Sequence, residues 1–374
     1  MSSTHKNSPT NRCTGSLTLP VNFMLCASRS VKTPMPDPKD KQPKRGIDRI
    51  RESAGSMNIN VPGDDSEITG MLTLGDSLLV VKRKGIYQIK MADEIDPERT
   101  NPNVPNTVQR LAAFGSDEEF IGKILLTAHG LLGKGHLSPN IDANAAMVHA
   151  AEITKNVAEM RILSDRVASE EQEIVDKFEG KIGNDHSLVL PSMVNVDIRI
   201  REFIQKADHA LQKLFDLTKL FYPDLGSGGW ESLKSRIEGE GRIDNFDQFL
   251  SGATPFLRMI RNARNAVEHG RPEMKLIATD FALNSQNQLA PPLIQLVHPK
   301  TPFDGVPIRE FMSSACANIA DIVELMIVFL CARHVDPSGN FTISVIEIPI
   351  DRRLSPNIRY GFGMMIGGQL VPLS

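Results

Sequence analysis

Apolar side chains return every three or four positions along most of residues 138–335, the spacing that lines one face of an α-helix. Ser138-Pro139 opens the first such helix, with Ser as cap and Pro in the first turn. Ile141, Val148, Val157, Met160, Val167, Ile174 and Phe178 carry its period, and Gly180 ends it. A second helix spans about 194–222, with Ile200, Phe203, Ile204, Ala207, Leu211, Leu214, Phe215 and Phe221 inward. Pro223 and the Gly226–Gly229 cluster stop it. A short helix over 230–237 leads to a third long one, about 245–269, broken by Gly270-Arg271-Pro272. Thr254-Pro255 starts or kinks its main segment. The last helix runs from Pro307 to His334.

Elsewhere the pattern is that of short strands. Leu78–Lys82 and Ile86–Met91 flank the turn Arg83-Lys84-Gly85 as a β-hairpin, with Leu72 and Leu74 in a preceding strand. Residues 92–116, with Asp96-Pro97, Asn101-Pro102 and Val104-Pro105, predict an irregular connection. Ser116 and Glu119 then make a capping box for a helix to Leu132. Runs over 274–283 and 289–297, joined by Asn284-Ser285-Gln286-Asn287, predict a second hairpin, and strands near 341–350 and 358–370 finish the chain. The expected fold is mainly α, an antiparallel four-helix-type bundle with inserted and flanking β-hairpins. The expected divisions are a disordered basic tail over 1–60, a small α/β region over 66–134, the bundle over 138–335, and a C-terminal β-hairpin over 336–374 packed on it.

Composition sharpens this. Hydrophobic residues make up 41% of the 374, enough for a sizeable core, and aromatics only 5%, which favours helical packing by Leu, Ile, Val, Ala and Met. The net charge of −3 hides an asymmetry: residues 1–52 hold ten Lys/Arg against four Asp/Glu, the remainder 32 against 41. The body is mildly acidic, so any nucleic-acid contact must be local or assisted by the tail. Cys316 and Cys331 fall in one helix, about 22 Å apart along its axis, and cannot bridge. With Cys13 and Cys26 in the tail, no disulfide framework emerges, and a reducing, cytoplasmic setting is expected. The apolar run Leu17–Ala27 begins late for a signal peptide, and Ile319–Leu330 is interrupted by Asp321 and Glu324, so no membrane association is expected.

The chemistry concentrates at the end of the third long helix. Counted at about 100° per residue, Arg258, Asn262, Asn265 and His269 share one line, with Arg261 and Arg264 beside it. Phe256, Met259, Ile260, Ala263, Ala266 and Val267 occupy the opposite, core-facing side. Asn is a mediocre helix former, and an ordinary solvated face carries Lys, Glu and Gln instead. Other signals fail. Gly130-Leu131-Leu132-Gly133-Lys134-Gly135-His136 lacks the spacing of a phosphate loop, Gly361-Phe362-Gly363 opens no helix, and there is no Cys-x-x-Cys, His pair at metal spacing or Gly-x-Ser-x-Gly elbow. No metal or cofactor is expected.

Arg264-Asn265-Ala266-Val267-Glu268-His269, an Arg-Asn followed by three residues and a His at a helix end, resembles the motif of the HEPN superfamily, over about residues 138–335. Those helical proteins are mostly metal-independent ribonucleases of defence, toxin and RNA-processing systems. The resemblance implies that Arg264 and His269 are catalytic, that Asn265 is a positioning residue, and that two motifs face each other in a homodimer. It implies RNA as partner, with a neutralising or regulatory protein left open, and a prokaryotic stress or defence setting. Arg258, Arg261, Asn262 and Arg271 are the further candidates for phosphate contact. Cleaving RNA without metal needs a base for the 2′-hydroxyl proton, an acid for the leaving oxygen and positive charge at the phosphorane. Imidazole serves as base or acid, and guanidinium offers fixed donors to phosphate oxygens. Two alternatives stand beside the nuclease: a non-catalytic HEPN-like module binding RNA or nucleotide, and a helical interaction or regulatory protein in which Glu268 pairs with Arg264 on a solvated or dimer-contact face.

Overall fold

The computed structural model describes residues 45–53, 59, 61–75, 77–226, 228–336, 342–366 and 369–373. Most of the expected tail, the run Leu17–Ala27 and the Gly367-Gly368 pair lie outside them. The chain divides into two compact units, residues 1–65 with 90–108, and residues 66–89 with 109–374. In the first, helix α1 (Gly46–Ser53), in a stretch expected to be disordered, joins the short α2 (Ala92–Ile95) through ion pairs. Arg51 lies 2.9 Å from Asp93, and Arg99 reaches Asp93 at 2.8 Å and Asp48 at 3.2 Å.

The second unit holds the long helices and most of the strand structure. An antiparallel sheet of order β1-β2-β3-β4 is formed by Ile68–Leu74, Ser77–Lys82, Ile86–Lys90 and Thr107–Ala112. A π-helical turn, Ile121–Leu126, runs into α3 (Thr127–Leu132) where the sequence predicts a plain capped helix. Then come α4 (Ala143–Lys177), α5 (Val196–Phe221), α6 (Gly229–Glu240) and α7 (Phe246–Glu268). Asp142, not Ser138, caps α4, its carboxylate accepting from Ala145 N at 2.9 Å.

Between α7 and α8 (Ile308–Arg333), five strands are inserted: β5 (Lys275–Thr279), β6 (Ala282–Leu283), β7 (Leu289–Ala290), β8 (Leu293–Val297) and β9 (Phe303–Pro307). Strands β5, β8 and β9 make one sheet, with β8 central, and β6 pairs with β7. A third three-stranded sheet, β10 (Ile343–Glu347), β11 (Tyr360–Ile366) and β12 (Gln369–Pro372), follows α8.

The expectation of a mainly α, four-helix-type bundle is therefore corrected. About 49% of the described residues are helical and 20% strand, and among them are eight α-helices and four small antiparallel sheets, which is a mixed α/β fold. Helical periodicity repeats over 23 to 35 residues in α4, α5, α7 and α8, so it dominates the sequence pattern, whereas strands of two to seven residues leave almost none. The strands also share the helices' core: Leu72, Leu79, Val81, Ile294 and Leu296 are buried in the cluster formed by Ile153, Phe203, Leu257 and Ile319. α8 is long and apolar enough, by composition, to cross a membrane, yet Ile319, Val323, Met326, Ile327 and Leu330 are wholly buried within the fold. Buried Glu324 on α8 pairs with Arg359, Nε to Oε2 at 3.1 Å, and burial raises its carboxyl above the usual range.

Candidate functional site

α7 continues through Pro255 rather than starting there. Thr254 Oγ1 donates back to Leu250 O at 2.6 Å just before the proline, which has no N–H of its own to place. Phe246, Leu250, Ala253, Leu257, Ile260, Ala263 and Ala266 are buried at helical spacing. Phe256, Met259 and Val267, also expected inward, are half-buried against the core. That burial fixes the helix's rotation and turns the Arg/Asn face outward.

The candidates on that face are not equivalent. Arg264 is held from two sides: its Nε lies 2.9 Å from Glu268 Oε1 one turn on, and 3.6 Å from Asp208 Oδ2 on α5. Its Nη1 donates to Asn265 Oδ1 at 3.4 Å, while Nη2 donates to no protein group among the described residues. Asn265 also takes the closing helix bond from His269 N, at 2.8 Å. His269 ends α7 with its side chain 66% exposed and Nε2 3.8 Å from Glu268 Oε2. Glu268 therefore bridges the arginine and the histidine.

The remaining candidates point elsewhere. Arg258 pairs with Glu231 of α6. Asn262 Nδ2 donates to Thr301 Oγ1, in the β8–β9 loop, at 3.0 Å. Arg261 and Arg271 are exposed, and among the described residues neither has a carboxylate within ion-pair distance; Arg271 joins Met274 in a backbone bridge just past α7. Arg201 of α5 donates to Val267 O at 3.4 Å, supplying a cation to the carbonyl end of α7.

Sequence reasoning missed Asp208, Gln212, His298 and Thr301. Asp208 was findable as a lone carboxylate between Ala207 and Leu211 on the apolar stripe of α5. It is buried, and burial raises its pKa; the Gln212 hydrogen bond, 2.5 Å, and the charge of Arg264 pull the other way. Among the described residues, no group of three or more His, Cys, Asp or Glu is placed to hold a metal ion. What the arrangement offers is an exposed imidazole, a guanidinium anchored by two carboxylates with one nitrogen unpaired among the described residues, and amide donors alongside. No family model, curated protein or solved structure matches the chain.

Proposed function

We propose that the protein is a metal-independent endoribonuclease acting through Arg264, Asn265 and His269. The observation that carries this is the juxtaposition at the end of α7. His269 is open to solvent, and Glu268 contacts both it and an Arg264 whose Nη2 has no partner among the described residues. His269 is the proton-transfer group, Arg264 the charge clamp for the phosphorane, and Asn265 the residue that orients Arg264. Cleavage needs both a base and an acid, so a second His269 from a twofold partner would divide those roles, and a homodimer belongs to the proposal. The resemblance to HEPN proteins supports it through the motif alone.

The test is incubation of purified protein with RNA in excess EDTA. Products should carry a 2′,3′-cyclic phosphate and a 5′-hydroxyl, because the 2′-oxygen bonds to phosphorus as the bond to the 5′-oxygen breaks. A 2′-deoxy substitution at the cut must block the reaction. His269→Ala should lower the rate by about 10² or more and leave the melting temperature unchanged, since the side chain is exposed. Full activity in a folded His269→Ala protein would overturn the assignment.

A second reading, binding without cleavage, is favoured by one observation: Arg264 already spends its Nε on Glu268 and Asp208. RNA binding with no cleavage in the same assay selects it.

A further inference from the structure

Away from the motif helix, the ends of α5 and α8 and one face of α6 line a cavity of about 320 Å³. α5 ends there at Phe221 and Tyr222, and a single 3₁₀ turn, Pro223–Leu225, continues the wall. Ser232, Arg236 and Glu240 follow one another up the same face of α6. His334 enters from the C-cap of α8. That histidine is held at both backbone and ring. Its carbonyl accepts from Ser138 N at 2.9 Å, and its ring stands edge-on to Phe221 and Tyr222, with centroids 5.2 and 5.1 Å away. Its Nδ1 lies 2.8 Å from Leu330 O. A carbonyl oxygen only accepts, so Nδ1 carries the proton and Nε2 of the neutral ring is left as an acceptor. Burial holds the ring's pKa below its ordinary 6.5, which keeps it neutral near neutrality.

Three of the lining polar groups are not used by the fold. Among the described residues, His334 Nε2, Ser232 Oγ and the Asp224 carboxylate make no hydrogen bond or ion pair, and none of them is sealed from solvent. The other lining charges are matched: Glu240 lies 3.4 Å from Arg236 Nε and 2.7 Å from Arg333 Nη1, and Arg333 also holds Asp244. Asp224 is therefore the lining charge without a partner, and the carbonyl ends of α5 and α8 add negative potential beside it. Phe221, Tyr222, Pro223 and Leu225 supply apolar wall. The volume falls at the lower end of the roughly 300–1,000 Å³ usual for small-molecule sites, where a few convergent polar groups set orientation.

We infer that this cavity binds a small primary amine with an aromatic body and a hydroxyl group, the ammonium on Asp224, the hydroxyl donating to His334 Nε2, and Ser232 a further polar contact. An anion is the wrong ligand here, because it would meet an unpaired carboxylate and a ring nitrogen with no proton to donate. A purely apolar ligand would leave all three polar groups without partners and without water. None of the lining residues belongs to α7, so the site is independent of the RNA-cleavage proposal.

The test is isothermal titration of the full chain with three probes of one shape. Tyramine carries both the amine and the hydroxyl, phenethylamine lacks the hydroxyl, and phloretate carries a carboxylate in place of the amine. Tyramine should bind saturably at one site, phenethylamine severalfold more weakly, and phloretate not at all. Asp224→Asn, at an exposed position, should weaken both amines by about tenfold or more, the scale of one charge-assisted hydrogen bond lost. His334→Phe keeps a ring between Phe221 and Tyr222 but removes the acceptor. It should bring tyramine down to the affinity of phenethylamine and leave phenethylamine itself unchanged, a selective loss that a merely structural histidine would not produce. Equal binding of phloretate and tyramine, or undiminished tyramine binding in Asp224→Asn, overturns the assignment of an amine. A His334→Phe protein that loses both amines alike overturns the hydroxyl contact. No saturable binding of either amine at millimolar concentration overturns the site.

Discussion

Asp208 on α5 sits 3.6 Å from Arg264 on α7, a buried carboxylate set against a guanidinium that is about one-third exposed. Burial raises the Asp208 pKa above its ordinary 3.8, against the opposing pull of Gln212 and Arg264. A raised carboxylate favours folding most where it is protonated. Its contribution is complete below the ordinary value and is lost as pH rises through the raised one. Asp208→Asn should therefore be least favourable in acid and gain on the parent as pH rises from about 4 to 7. Urea denaturation across that range reads the difference, and a difference independent of pH would remove Asp208 as a strained buried acid.

The clamp on Arg264 gives a second prediction. Glu268→Gln removes the charge that holds Nε but keeps the side chain's length. As an i, i+4 surface pair it contributes only about 0.3–0.5 kcal/mol, so stability should barely move. RNA affinity should rise instead, with a steeper salt dependence, because only Asp208, at 3.6 Å, is then left to compete with phosphate for Arg264. Unaltered RNA affinity would favour a solvated face on which the Arg264–Glu268 pair is only a surface contact.

A third concerns the far end of the same layer. Arg333, almost fully buried at the end of α8, reaches Asp244 at 2.6 and 2.8 Å and Glu240 at 2.7 Å, locking α8 to the α6–α7 junction. The Arg333 hydrogen bond holds Asp244 below its ordinary 3.8, so this contribution is present above that value and lost as pH falls below it. Arg333→Met should cost about 3 kcal/mol near neutrality, since Asp244 loses its cationic partner, while Glu240 keeps Arg236 at 3.4 Å. The gap from the parent should narrow in acid, as followed by denaturant titration.

The motif helix was legible in the sequence to within a residue or two: 245–269 expected, Phe246–Glu268 observed. Twenty-three residues of one period leave little freedom, and the same holds for α5. What stayed hidden has its cause in partners distant along the chain. β9, Phe303-Asp304-Gly305-Val306-Pro307, reads locally as a breaker, and it is a strand because β8 pairs with it; as an edge strand it tolerates its proline. β4 is likewise an exposed edge strand in a stretch punctuated by Pro. At the site, the face holding Arg258 through His269 follows from periodicity, but its sorting into paired and unpaired cations does not. Glu231, Asp208 and Thr301 arrive from three other elements.

The last prediction sets two helical glycines against each other. In a helix, Gly→Ala ordinarily gains about 1 kcal/mol, because alanine loses less backbone freedom on folding. Gly130, in α3, has nothing within 4 Å of where a Cβ would stand, so Gly130→Ala should stabilise by roughly that amount. Gly122, in the π-helical turn just before, has the 355–358 segment laid across it. A Cβ there would lie 2.3 Å from Asn357 Cβ and 2.6 Å from Asn357 O. Backbone cannot swing aside as a long side chain can, and Asn357 is itself fixed, donating through Nδ2 to Ser116 O at 3.0 Å. Overpacking of this kind costs about 1–3 kcal/mol, enough to cancel the helical gain and reverse its sign. Gly122→Ala should melt below the parent and Gly130→Ala above it in one calorimetric series. Stabilisation by both would mean that the 355–358 segment does not rest on this turn.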